Sequence, residues 1–193
     1  MKLSKKKVLK KKEEIILSAI KIVNHKGYQA ATMEEIAAEL LMTKGSLYYY
    51  FKNKEDLIFQ CHEMVLSRAM AELQEHLEEP VSYEERLRKM IITHIHYAIE
   101  EQETFNLIIK PNETFSEKLN PILEKRHAYA SYFDQVILGG IETNQFTITE
   151  PKIVRMILLG AMNWIQQWYS PEGMMTKEEI QTSYADYLVK LVK

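Results

Sequence analysis

Residues 32–54, Thr-Met-Glu-Glu-Ile-Ala-Ala-Glu-Leu-Leu-Met-Thr-Lys-Gly-Ser-Leu-Tyr-Tyr-Tyr-Phe-Lys-Asn-Lys, constrain the fold more than any other stretch of the chain. Thr32 and Glu35 make a capping box, in which each side chain bonds the other's backbone N–H and so starts a helix. Ile36, Ala37 and Leu40 give that helix an inward face. A four-residue turn, Leu41 to Lys44, leads into a second short helix that ends in three tyrosines. Two short helices with a tight turn are the layout of a helix-turn-helix, whose second helix lies in the major groove of DNA.

The surroundings fit an all-α protein. Only six Gly and five Pro occur in 193 residues, so helices have few breakers. Ile15, Ile16, Ala19, Ile20 and Val23 recur at helical spacing, and Gly27 ends that first helix. Residues 1–12 hold seven lysines and little that packs, which predicts a basic flexible arm joining the helix near Lys10. Asn53 is placed to cap a long helix, about Lys54 to Glu78, that stops before Pro80. Further helices are predicted over 82–102, 103–114, 117–144, 150–169 and 176–192. The expected division is an arm at 1–12, a three-helix helix-turn-helix domain at 13–56 and a second helical domain at 57–193, for which the resemblance described below implies ligand binding and dimerisation.

Charge agrees with that division. Residues 1–56 carry 12 Lys/Arg against 7 Asp/Glu, a net of +5; residues 57–193 carry 13 against 20, a net of −7. A basic head on an acidic body suits a protein that offers one end to a polyanion. No apolar run approaches the roughly 18 residues of a membrane span. Cys61 is the single cysteine, which excludes an internal disulfide and points to a reducing cytoplasm. No Gly-rich phosphate loop, metal-ligand pair or nucleophile elbow is present, so an enzyme is not expected. His94 and His96 stand two apart on one helix and face different ways, which argues against a shared metal. Cys61 and His62 are about 100° apart around theirs, which argues against a dyad.

The residues of the second helix suit DNA. Thr43 and Lys44 stand at its start, where side chains reach base edges, and Tyr48 can join them. Gly45 lets the backbone come close to the duplex. Thr32, Tyr49, Tyr50, Lys52 and Lys54 are placed for phosphates. Leu47 and Phe51, four apart, face the core, and one of the three tyrosines is expected to pack inside as well.

These residues carry a resemblance. Gly27-Tyr28, Thr32-Met33-Glu34-Glu35-Ile36-Ala37 and the run Lys44-Gly45-Ser46-Leu47-Tyr48-Tyr49-Tyr50-Phe51-Lys52-Asn53-Lys54-Glu55-Asp56-Leu57 resemble the N-terminal domain of the TetR family of transcriptional repressors. Tyr50 departs from it, since many members carry His there. The resemblance implies a homodimer on a palindromic double-stranded operator, with a C-terminal domain that binds a small hydrophobic effector and releases DNA when loaded. No cofactor is implied.

Ile153, Met156, Ile157, Gly160, Trp164 and Trp168 repeat at three- and four-residue spacing, and Ile180, Tyr184, Tyr187, Leu188 and Leu191 form a second stripe. Pairing these stripes with their copies gives a four-helix dimer seam. An internal core is the alternative that the pattern leaves open. The pocket is expected among Met90, His94, Tyr97, Phe105, Ile108, Arg126, Tyr129, Phe133, Asn163 and Trp164, where polar groups interrupt a large apolar cluster. Some of these must be plain core, and for any single one that is the first reading. The run from Gly160 to Tyr169, with Pro171-Glu172-Gly173, resembles the C-terminal region of family members that control fatty-acid or sterol catabolism and respond to acyl-coenzyme A. An acyl-CoA effector, with Arg86, Arg88, Lys125 or Arg126 near its phosphates, follows as an expectation. A multidrug-responsive regulator of an efflux gene is the alternative.

Overall fold

The computed structural model describes residues 3–102, 104 and 119–193. Among these residues every regular element is helical. In chain order they are α1 (Leu3–Ala30), α2 (Met33–Glu39), α3 (Lys44–Tyr50), α4 (Lys54–Glu78), α5 (Tyr83–Glu100), α6 (Leu119–Glu142), α7 (Pro151–Trp164) and α8 (Lys177–Leu188). Short 3-10 turns, Ile165–Gln167 and Val189–Val192, follow α7 and α8. The helix predicted over 103–114 lies outside the described residues. No described helix is long and apolar enough to cross a membrane.

Two compact units form. One holds Met1–Leu66 together with the segment that begins at Glu101; the other holds Ser67–Glu100 and the chain from Glu117 onward. The division therefore falls inside α4 rather than at residues 56 and 57. Nothing in the α4 sequence marks it, because one uninterrupted helix serves both units.

The first unit is built on α1. Ile15, Ile16, Ala19, Ile20 and Val23 are all buried. Gly27 takes φ 81°, ψ 160° and breaks the helix before its last turn, a conformation that costs glycine little. The predicted lysine arm is a correction: α1 already begins at Leu3, because the lysine-rich stretch contains no Gly or Pro and lysine is a good helix former. Lys11 pairs with Glu14 at 3.1 Å, and Lys12 lies over the Phe51 ring at 5.3 Å.

α2 starts with the expected capping box. It ends in a Schellman motif: the Met42 N–H donates to Ala37 O at 2.8 Å and the Leu41 N–H to Ala38 O at 3.0 Å. Leu41 therefore sits at φ 52°, in the left-handed region, with 97% of its surface exposed. α3 buries Leu47 completely, and Phe51, its C-cap, is 1% exposed. Asn53 Oδ1 accepts the Asp56 N–H at 2.8 Å, which caps α4 as predicted. Cys61 is buried and donates to Ile16 O at 3.7 Å; burial pushes its thiol well above the ordinary range and leaves it unreactive.

A clamp completes this unit. Asn24 Oδ1 accepts from Thr104 N at 3.1 Å and from Thr104 Oγ1 at 3.0 Å, while its amide donates to Glu101. His62 Nδ1 bonds Thr104 O at 3.3 Å. Residues just past α5 are thus fastened to α1 and α4.

The second unit is arranged around α5, which packs against α6, α7 and α8. It buries Leu87, Met90, Ile91, Thr93, His94, Ile95, Tyr97 and Ala98. Arg86 wraps the end of α4, donating to His76 O at 3.0 Å and Glu79 O at 2.7 Å, so it meets orphan helix carbonyls rather than an effector phosphate. Arg88 pairs with Asp186 at 2.6 Å. The stripe expected on the final helix divides: Ile180 and Leu188 are buried, whereas Tyr187 is 70% exposed. The reason is that α8 lays Ile180, Gln181, Ala185 and Leu188 inward as it packs on α5.

Leu41 occupies a backbone state that costs a β-carbon about 1 kcal/mol, and its side chain gains little burial in return. Leu41→Gly is expected to stabilise the protein by about 0.5–1 kcal/mol in chemical denaturation. A lower unfolding midpoint would show that the side chain stabilises the turn.

Candidate DNA-reading face and buried polar network

α3 separates its side chains by chemistry. Leu47 faces the core, while Thr43, Lys44, Gly45, Tyr48 and Tyr49 are exposed and Tyr50 is half-buried against the Tyr49 ring. Thr43 Oγ1 caps the helix, accepting the Ser46 N–H at 3.1 Å. Lys44 pairs with Glu34 and lies over the Tyr48 ring at 5.8 Å. The Glu34 carboxylate raises the Lys44 ammonium above its usual value by accepting its hydrogen bond. This pair is solvent-exposed, so exchanging it for another anion costs little. A Cβ built on Gly45 meets nothing nearer than Thr43 Oγ1 at 3.9 Å. No contact among the described residues requires glycine there.

Thr32 is exposed at the start of α2 and Lys52 is exposed after α3. Lys54 is engaged within the chain. Its ammonium donates to Gln29 O at 3.2 Å and lies over the Tyr28 ring at 4.4 Å. Burial lowers its pKa. The last carbonyls of α1 need a donor, and Lys54 provides one. Ser46 was missed. It is exposed on α3 and its hydroxyl lies 2.9 Å from Thr43 Oγ1.

In the second unit three of the expected pocket residues form a chain of hydrogen bonds across three helices. His94 Nδ1 lies 3.1 Å from Tyr129 Oη, and His94 Nε2 lies 3.2 Å from Asn163 Oδ1. An amide oxygen only accepts, so Nε2 carries the proton and Nδ1 accepts from the tyrosine. Phe133 is fully buried with its ring 6.2 Å from His94 and 6.0 Å from Tyr129, and Met90 is fully buried on the same helix as His94. Tyr97 donates to Glu72 Oε1 at 2.6 Å. Burial first, then the Tyr97 and Glu72 charges, push the Tyr129 phenol upward.

Not every expected residue joins this cluster. Trp164 is 65% exposed, because it continues the apolar stripe of α7 while its neighbour Asn163 turns inward. Arg126 is half-buried on α6, one turn before Tyr129. Phe105 and Ile108 lie outside the described residues. Glu72 was missed, although a signal existed: it stands three residues past buried Ala69 and seven past buried Val65, on the inward stripe of α4. Among the described residues no cluster of His, Cys, Asp and Glu could hold a metal.

Burial holds His94 at about 4, below its ordinary 6.5. Above pH 6.5 the imidazole is neutral whether the chain is folded or not, so its full contribution is present there. Between 6.5 and 4 the unfolded chain takes up a proton that the folded network refuses, and stability falls as pH falls. Urea unfolding should lose on the order of 2 kcal/mol from this group between pH 7.5 and pH 5. His94→Gln should flatten that slope. An equal slope in both proteins would assign the acid sensitivity elsewhere.

Comparison with known proteins matches this architecture. Residues 15–61 match the family described as bacterial regulatory proteins, tetR family, and residues 80–192 match the tetracyclin repressor-like C-terminal domain. The fatty acid metabolism regulator protein of Bacillus subtilis is 23% identical over 158 residues, 78% of each chain. A TetR/AcrR-family transcriptional regulator from Thermobifida fusca YX-ER1 superposes with a TM-score of 0.81, covering 95% of this chain and 99% of that one at 24% identity. AibR, solved with isovaleryl coenzyme A and operator DNA, superposes with a TM-score of 0.72 over 94% and 97% of the two chains at 22% identity. At these identities the solved structures speak for the fold. With a family match across more than half of its length, this chain belongs to the TetR family of bacterial transcriptional regulators.

Proposed function

We propose that the protein is a ligand-responsive repressor that binds a palindromic operator as a homodimer in the cytoplasm and leaves it when a small hydrophobic effector, a fatty acyl-CoA, occupies the second unit. One observation carries the DNA half of this reading: α3 exposes Thr43, Lys44, Tyr48 and Tyr49 around a glycine that nothing among the described residues requires. In this reading Thr43, Lys44 and Tyr48 face bases. Thr32, Ser46, Tyr49, Tyr50 and Lys52 serve phosphates.

The dimer is supported by the face of α7. Ile153, Met156, Ile157 and Trp164 on it, and Trp168 just past the turn that follows, are 46–65% exposed in the single chain, and a Cβ at Gly160 meets nothing within 4 Å among the described residues. A contiguous apolar stripe left in water marks a protein-binding surface. A second copy covers it, since two heads are needed to read a palindrome. The effector half is supported by the buried aromatic cluster with its few fixed polar groups, the composition of a small-molecule site. The regulators of fatty-acid metabolism and the acyl-CoA-bound AibR among the similar proteins agree with an acyl-CoA.

Gly45→Ala separates folding from function. It should stabilise α3 by about 0.5–1 kcal/mol while lowering operator affinity tenfold or more in gel shifts. Unchanged affinity would remove α3 from the interface. Trp164→Glu should convert the dimer to monomer in sedimentation and abolish operator binding; a variant that remains dimeric would place the seam elsewhere. Long-chain acyl-CoA should release the operator while CoA alone does not, and retention of the complex at every chain length would exclude this effector class.

A further inference from the structure

α2 carries two glutamates in its first turn, and they do different things. Glu35 closes the capping box with Thr32 and pairs with Lys26 at 2.6 Å. Glu34 takes no part in that box. Its carboxylate reaches across to α3 and pairs with Lys44, the first residue of that helix, with both side chains more than half exposed. The Lys44 ammonium holds the Glu34 carboxyl below its ordinary range, so the acid is charged at neutral pH. The same ammonium lies 5.8 Å from the centre of the Tyr48 ring. A negative charge therefore stands beside the very side chains that α3 exposes, Thr43, Lys44, Tyr48 and Tyr49.

A carboxylate in that place works against a polyanion unless it does something for the lysine. An ammonium on a flexible four-carbon stem is a point charge with three donors, and left to itself it takes any phosphate oxygen in reach. Such contacts add affinity but carry no sequence information. Held by Glu34 and laid along the Tyr48 ring, Lys44 uses one donor on the carboxylate and keeps two at the entry of α3. Two donors there match the O6 and N7 acceptors of a guanine. We infer that Glu34 is a specificity residue for DNA: it tethers Lys44 and repels the backbone, so that the lysine reads a base pair instead of a phosphate. This deepens the reading of α3 as the base-reading helix and rests on it.

The tether and the bare charge predict different patterns across DNA sequences. A palindromic duplex selected by the full-length wild type from a randomised pool supplies the cognate site, together with its single-base-pair variants. A scrambled duplex of the same composition supplies the background. Lys44→Gln locates the base pair that the lysine reads: the penalty for changing that pair, about tenfold in the wild type, should fall to about twofold. Glu34→Gln keeps the lysine but frees it. It should lower the penalty at that same base pair to about threefold or less and leave the penalties elsewhere unchanged. Binding to the scrambled duplex should tighten by about threefold or more at low salt. Its salt dependence should steepen by about one for each head, as each freed lysine takes a phosphate. Glu34 is exposed and outside the capping box, so Glu34→Gln and Glu34→Ala should keep the wild-type thermal midpoint and behave alike. If Glu34→Gln tightens binding to every duplex by one factor and keeps the penalty at the base pair that Lys44 reads, its effect is charge alone and the inference is overturned. If Lys44→Gln lowers the penalty at no base pair, the placing of Lys44 against bases falls, and this inference falls with it.

Discussion

A seven-residue helix does not persist alone in water, because so short a segment does not recover the cost of its nucleus. α3 exists because Leu47 and Phe51 are withdrawn from solvent, each side chain contributing about 2–3 kcal/mol. That burial also fixes the rotation of α3. With Leu47 pointing in, the residues one and two places beyond it must point out. The outward tyrosines and the exposed Thr43–Lys44 corner are thus consequences of two apolar side chains on the opposite face.

The second unit is organised by a different constraint. Burying an imidazole is unfavourable unless both of its nitrogens are satisfied. His94 meets that demand with one partner on α6 and another on α7, so a single side chain ties three helices at a defined rotation. Its neutrality follows from the same burial. The inward turn of Asn163 and the outward turn of Trp164, neighbours on α7, are linked in this way. One belongs to the network and the other to the exposed stripe.

Much of the first unit was legible in the sequence, because its signals are local. The capping box at Thr32, the N-cap at Asn53 and the apolar spacing of α1 each act within a few residues. The contact of Lys54 was not legible because its partner, Gln29 O, is 25 residues away in sequence, and a lysine looks the same in front of a carbonyl or a phosphate. The lysine-rich start was misread because composition suggested a tail where propensity favoured a helix. In the second unit His94, Tyr129 and Asn163 were identified as candidates, but no spacing rule links residues 35 and 69 positions apart. Glu72 escaped because one more glutamate on a long helix carries no distinguishing mark, although its place on the inward stripe was readable.

The Asn24 clamp bears on how such a protein can be divided. Asn24 is half-buried on α1, yet its partners Glu101 and Thr104 follow α5, far along the chain. The DNA-reading unit is therefore not a contiguous cassette. A chimaera carrying residues 1–66 on a foreign body would lose both of these partners, and His62 would lose Thr104 O. Each unsatisfied polar group of that kind costs about 1–3 kcal/mol. Recombination between relatives is constrained accordingly: a head transplanted without its matching 101–104 segment arrives incomplete, so head and body are expected to be inherited together.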